Sequence, residues 1–300
     1  MAQKIVPNLW FARNADEAGG FYSEVLPKTS STVSARYPDE VPDWRSEFAG
    51  ETLVVDLDVD GYRIALINAG DEFRPNPSIS FMLNFDPLAF DDDVDAARRA
   101  LDETWEGLSS DGRVLMDLGE YPFSRRYGWV EDRFGVSWQL ILTDPEGEPR
   151  PFVIPQLMFA GPVQGKAQEA AEYYVSLFDD ARLGFIAEYP TPTGPAAAGD
   201  VMFGEFHLAG QPFAMMDSAA DQDVTFGAGV SLEVRCADQA EIDRLWEALS
   251  AVPEAEQCGW LADRYGVSWQ IVPENMGELM ERPGAYDTMM KQKKIVIADY

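Results

Sequence analysis

Two stretches of this chain, YGWVEDRFGVSWQLIL at 127–142 and CGWLADRYGVSWQIVP at 258–273, are near copies of each other. A repeat this close constrains the fold more than any other feature, because whatever unit one copy closes the other must close too. The alignment extends outward from it. KIVPNLWF at 4–11 matches PFVIPQLMF at 151–159, with Pro7 against Pro155. ADEAGGFYSEVL places Ala18, Phe21, Tyr22 and Val25 on one helical face, as KAQEAAEYYVSLF does with Ala170, Tyr173, Tyr174 and Leu177. LVVDLDVDGYRIALIN at 53–68 aligns without gaps on MFGEFHLAGQPFAMMD at 202–217, and Gly61 and Gly210 stand where a hairpin must turn. SISFMLNFD and GVSLEVRCAD then read as strands, each followed by an acidic cap and an amphipathic helix.

Each half therefore runs strand, helix, three strands, and then the same again, so the chain contains four βαβββ modules. The 300 residues suit two units of about 150 residues each. We expect an α+β protein of two tandem domains, 1–146 and 147–275, with the linker TDPEGEPRP between them and a helical tail over 276–300. The halves differ in two places. The first carries a longer connection, PDEVPDWRSEF, before its third strand. The second lacks a counterpart of RVLMDLGEYPFSRR, so its sixth strand should be short or missing. The tail breaks at Pro283–Gly284, ends in a basic patch at Lys291, Lys293 and Lys294, and is expected to pack on this surface or on a partner.

Charge excludes some partners. With 52 acidic against 23 basic residues the net charge is −29, a field that repels nucleic acid and anionic membranes. No apolar run has the roughly 18 residues that a membrane helix needs, and the N-terminus has no basic stretch leading into an apolar core, so a cytoplasmic protein is expected. The two cysteines, Cys236 and Cys258, form no CxxC and are read as reduced.

A doubled βαβββ unit that opens with IxPxLxF and closes with GWxxDRxGxSWQ resembles the PhnB-like branch of the vicinal oxygen chelate superfamily, which includes glyoxalases, bleomycin-resistance proteins and extradiol dioxygenases. The resemblance covers about residues 4–142 and 152–273. It implies glyoxalase-like domains whose paired modules curl a mixed sheet into a cup, helices outside. In metal-binding relatives a divalent cation sits in the cup, held by His on the first strand, Glu on the last, and sometimes a further His on the fifth. At those places this sequence has Asn8 and Gln156 on the first strands, Gln139 and Gln270 on the last, and, by alignment, Ser78 and Gly229 on the fifth. Neutral amides are weak oxygen donors and bring no negative charge to a dication. The chain's single histidine, His207, excludes any site built on two imidazoles. No metal and no cofactor are expected. Proteins of this kind are often labelled demethylubiquinone methyltransferases, but a methyltransferase of the usual type needs a glycine-rich turn opening a helix in a parallel sheet, and none occurs here.

The remaining candidates follow from strand parity. Asn8, Trp10, Met82, Asn84 and Gln139 share the inward parity in the first half; Gln156, Met158, Glu233, Arg235 and Gln270 share it in the second. Glu233 and Arg235 can pair with each other or clamp a charged substrate. His207 and Glu205 could be an acid and a base near neutral pH, although alternating polar residues on a strand usually mark its solvent face. Trp138 and Trp269 fall on the helix side and read as core. The repeated Asp-Arg, Asp132-Arg133 and Asp263-Arg264, reads as a turn device, with Gly135 and Gly266 taking the special dihedrals. The expected function is the binding of a small organic molecule. A lyase, isomerase, hydrolase or dioxygenase-type enzyme acting at one cup is the rival, with Glu233, Arg235 or His207 as acid, base or clamp. A purely structural role for the cups is a third reading. Module pairing within or across the halves, and a homodimeric state, stay open.

Overall fold

The computed structural model describes residues 3–39, 43–144, 146–147 and 149–300. Parts of the PDEVPDWRSEF connection and of the TDPEGEPRP linker lie outside the described residues. The first half contains β1 (Ile5–Ala12), α1 (Ala15–Val25), β2 (Thr29–Arg36), β3 (Thr52–Val59), β4 (Tyr62–Ala69), β5 (Ile79–Phe85), α2 (Val94–Ser109), β6 (Arg113–Tyr121), β7 (Ser124–Glu131) and β8 (Ser137–Leu142). The second contains β9 (Val153–Phe159), α3 (Ala167–Val175), β10 (Arg182–Glu188), β11 (Val201–Leu208), β12 (Gln211–Asp217), β13 (Val230–Cys236), α4 (Gln239–Leu249), β14 (Trp260–Ala262) and β15 (Ser268–Pro273), followed by α5 (Met276–Met280) and α6 (Ala285–Lys291).

The hairpins form where the repeat places glycine. Asp60–Gly61 and Ala209–Gly210 turn β3 into β4 and β11 into β12, each pair with positive φ at both positions, the geometry that matches strand twist. The caps also follow the sequence: Asp93 and Asp238 side chains accept the backbone N–H of Ala96 and Glu241 and open α2 and α4.

The strand order settles the pairing that sequence leaves open. One sheet runs β14-β15-β13-β1-β4-β3-β2 and the other β10-β11-β12-β9-β5-β8-β7-β6. Each sheet joins one module from each half, through antiparallel β1–β13 and β5–β9 pairs. The linker keeps the chain within one sheet, whereas the β4–β5 and β12–β13 connections cross between sheets. Those crossings touch: Asn76 donates to the Thr225 carbonyl at 3.1 Å. A Cβ on Gly229 would lie 1.8 Å from the Arg74 carbonyl oxygen, so only glycine fits there.

The missing sixth strand is visible as well, because the first sheet ends at the three-residue β14 where its counterpart continues to β6. The tail covers that edge. Cys258 and Gly259 donate their N–H groups to the Gln292 and Lys293 carbonyls, Ile295 is fully buried, and Lys293 and Lys294 pair with Glu256 and Asp243.

One hydrophobic core unites both sheets with the helices, and its largest members include Trp138, Trp269, Tyr22 and Tyr174. The repeated Asp explains the repeated signature. Asp132 accepts N–H groups from Phe134 and Val136, the Trp138 indole at 2.8 Å and the Tyr22 hydroxyl at 2.7 Å. Asp263 does the same with Tyr265, Val267, Trp269 and Tyr174. Because Tyr22 lies on α1 and Asp132 between β7 and β8, this knot fastens two modules of one half that the sheets have separated.

Candidate functional site

Two cups result, and strand parity fixes their linings. On β1, Leu9 and Phe11 join the core, which leaves Asn8 and Trp10 on the opposite face. Cross-strand register carries that face outward: Asn8 stands opposite Ser231 and Ala65, Glu233 beside Gln270, and Gln270 beside Trp260. In the other sheet Gln156 stands opposite Ser80 and Ala214, Met82 opposite Ile154 and Gln139, and Gln139 beside Trp129. Grouping the inward residues by halves is therefore corrected. Glu233, Arg235 and Gln270 share a cup with Asn8 and Trp10, while Gln139 shares one with Gln156, because β1 pairs with β13 and β5 with β9.

The place of the fifth-strand ligand is corrected too. Ser78 and Gly229 precede the strands, with backbone bonds to Met158 and Trp10; the residues facing the first-strand amides are Ser80 and Ser231. In both cups the last-strand glutamine donates to that serine, Gln139 to Ser80 at 2.8 Å and Gln270 to Ser231 at 2.9 Å. Gln139 also accepts the Tyr127 hydroxyl at 2.6 Å. These positions offer neutral oxygens already engaged with one another. The carboxylates near them are each held by an arginine: Glu233 by Arg235 at 3.0 Å, Asp56 by Arg63, and Glu205 by Arg150. Among the described residues no group of three His, Cys, Asp or Glu side chains could hold a metal ion. The donor set does not fit a divalent cation.

The cups differ in chemistry. The β1 cup carries Glu233 and Arg235, and beside them Arg63 bound to Asp56 at 2.7 Å. Burial pushes the Glu233 carboxyl above the usual carboxylate range, while the Arg63 guanidinium and the Asn8 amide hold it down. Trp10 meets Phe73 and Trp260 edge-on and forms an aromatic wall. In the β9 cup the matching places are Met82 for Glu233, Asn84 for Arg235 and Met158 for Trp10. Met82, Ile154 and Ala214 form one small apolar cluster there, and Met158, Tyr127 and Trp129 another. Gln156 is 1% exposed, and its Oε1 has no hydrogen-bond partner.

Sequence reasoning missed Ser80, Ser231, Tyr127, Trp129 and Arg63 as cup residues. The two serines were detectable, since they occupy matching places in the repeats and share parity with the pair that alignment selected.

His207 does not lie on the outer face. It shares the cup side of β11 with Glu205, opposite Pro212 and Arg182, and Arg150 pairs with Glu205. It is therefore in a different sheet from Glu233 and Arg235, and the three cannot act together. Burial, then Arg182, lowers the His207 pKa, with Glu205 opposing. A depressed native pKa means stability present above the unfolded value of about 6.5 and lost as pH falls through the native one. As the chain's only histidine, it should give one imidazole resonance set titrating below 6.5 by NMR, and His207→Gln should flatten the melting-temperature slope between pH 7 and 5. A midpoint at or above 6.5 contradicts this. Cys236 is buried with its thiol pushed up to about 12, an inert core residue.

The comparisons agree with this geometry. The family model described as 3-demethylubiquinone-9 3-methyltransferase matches residues 3–141 and again 151–272. The chain belongs to that PhnB-like family. A PhnB protein from Bacillus cereus, described as a 3-demethylubiquinone-9 3-methyltransferase, is 29% identical over 47% of this chain and 100% of its own, with a TM-score of 0.39. Glyoxalase I from Zea mays covers 90% of this PhnB-like chain and 91% of its own at 11% identity and a TM-score of 0.52, a likeness of fold. None of the curated proteins matches. No helix among the described residues is long and apolar enough to cross a membrane.

Proposed function

We propose that this PhnB-like protein binds small organic molecules in its cups without a divalent metal, in the cytoplasm. The observation that carries the reading is the Gln–Ser hydrogen bond, present in both cups where metal-binding relatives keep charged or imidazole ligands. An amide and a hydroxyl on an otherwise apolar floor suit hydrogen-bonded organic ligands. Methyl transfer is not part of the proposal: the family's name carries that activity, but the mixed sheets offer no glycine-rich strand-to-helix turn for the usual methyl donor.

The test is a thermal-shift series with Mn²⁺, Ni²⁺, Co²⁺ and Zn²⁺ against chelator. A specific site filled at 100 times its dissociation constant contributes about 2.7 kcal/mol. We expect no metal to raise the melting temperature by more than about 1 °C, because that term is absent. A metal that raises it by about 5 °C, with the rise abolished in Gln139→Ala or Gln270→Ala, overturns the reading.

A further inference from the structure

A buried, unpartnered acceptor on the floor of the β9 cup specifies what that cup takes. We propose that it binds a flat, uncharged aromatic molecule that presents one N–H or O–H donor to Gln156 Oε1; this rests on the small-molecule reading above. A buried acceptor without a partner costs roughly 1–3 kcal/mol, and proteins seldom leave one. Gln156 is 1% exposed on a central strand, and strand parity aims it away from the core into the cup. The other amides on this face are engaged: Gln139 donates to Ser80 and accepts from Tyr127, and Asn84 donates to the Pro151 carbonyl. Among the described residues two buried polar atoms on this face lack a partner, His207 Nδ1 out on β11 and Gln156 Oε1 on the central strand, and the second is the one at the floor that asks for a donor from outside.

The walls supply the rest of the specification. Met82, Met158 and Met216 offer soft, adaptable surface that favours aromatic rings. A ladder of rings leads inward from the rim: Phe123 is 62% exposed, stacks on Tyr121 with centroids 5.6 Å apart, and meets Tyr127 edge-on at 5.0 Å. Charge is excluded on the floor. Met82 and Asn84 replace the ionic pair of the β1 cup, and the carboxylate on the adjoining strand, Glu205, is neutralised by Arg150. A ligand with a net charge would lose its hydration here without gaining a counter-ion.

Indole and benzofuran share one outline and differ in a ring N–H against a ring oxygen. By isothermal calorimetry on the full chain, indole should bind at one site and at least tenfold more tightly than benzofuran. Gln156→Leu should bring the two dissociation constants within about twofold, and Gln270→Leu, in the other cup, should leave the preference intact. Equal binding of the two compounds to the native chain, binding of neither, or an undiminished preference in Gln156→Leu would each overturn the inference. Should Gln156→Leu fail to fold, Gln156→Met provides the second reading: it nearly keeps the length and shape of glutamine without the amide, and should likewise bring the two dissociation constants within about twofold. An undiminished preference for indole in a folded Gln156→Met also overturns the inference. The metal series tests the parent reading separately.

Discussion

Severed at the linker, the chain should yield halves that cannot persist as stable monomers. A fragment of residues 1–147 would keep β1 without β13 and β5 without β9, and these are the central pairings of the two sheets. All seven residues of β5 are buried, as are all seven of β9. A lone half would therefore expose unpaired backbone along strands built for the interior. Its simplest remedy is a second copy: module one of one fragment pairing with module two of the other rebuilds both sheets, with SISFMLNFD standing in for GVSLEVRCAD. Light scattering after size exclusion should report a dimer for 1–147. Mixing it with 148–300 should restore one particle of the full chain's mass with a single cooperative melting transition. The covalent linker then contributes mainly effective concentration, making an association intramolecular. A monodisperse monomer of either fragment, melting cooperatively near the temperature of the full chain, would exclude the cross-paired sheets.

The same pairing explains what could and could not be read from residues alone. Faces were legible because alternation is local: Leu9 and Phe11 inward to the helices, Asn8 and Trp10 away from them, follows from eight consecutive residues. So were the hairpin glycines and the short β14 edge, because each depends on a few neighbours or on a gap in the alignment. Which strand lies beside β1 depends on a contact between Ile5 and Val234. β5 and β13 satisfy the local rules equally, both being apolar on the helix side with a serine in the same place. Only the path of the connections between sheets distinguishes them. Alignment points to Ser78 and Gly229 where the cups have Ser80 and Ser231 for a related reason: it gives position along a strand, and register across strands needs the partner. His207, a cup-facing candidate that could equally have been solvent-facing, shows a different limit. Polar alternation is shared by a solvated face and by a cup face, so periodicity could not separate them. The Tyr22 and Tyr174 hydroxyls were detectable from the repeat itself, since both helices carry a tyrosine at the same place and both halves an aspartate to receive it.

That knot sets the second large effect: Asp132→Ala should destabilise the chain by about 4 kcal/mol, and Asp263→Ala by a similar amount. Each carboxylate is nearly inaccessible, 4% and 1% exposed, and accepts four hydrogen bonds. Truncation strands two backbone N–H groups, an indole N–H and a phenol O–H in the interior, each worth roughly 1–3 kcal/mol when unpaired, with relaxation and entering water returning part of the sum. Burial pushes both carboxyls up from their usual range while the four donors pull them down. Asparagine should be intermediate. It keeps one acceptor oxygen but turns an NH₂ toward the other two donors; the Tyr22 hydroxyl can rotate to accept, and the Trp138 indole cannot. Differential scanning calorimetry should show Asp132→Ala melting roughly 10 °C below the native chain at a few degrees per kcal/mol. Tyr22→Phe should cost much less, since it removes one donor and leaves three satisfied. Asp132→Ala combined with Tyr22→Phe should cost less than the sum of the two, because the second change deletes a donor that the first has orphaned. Asp132→Ala and Asp263→Ala, which share no partner, should add. Full additivity of Asp132→Ala with Tyr22→Phe would mean that the hydroxyl and the carboxylate do not stabilise each other, and that the repeated signature earns its place by packing alone.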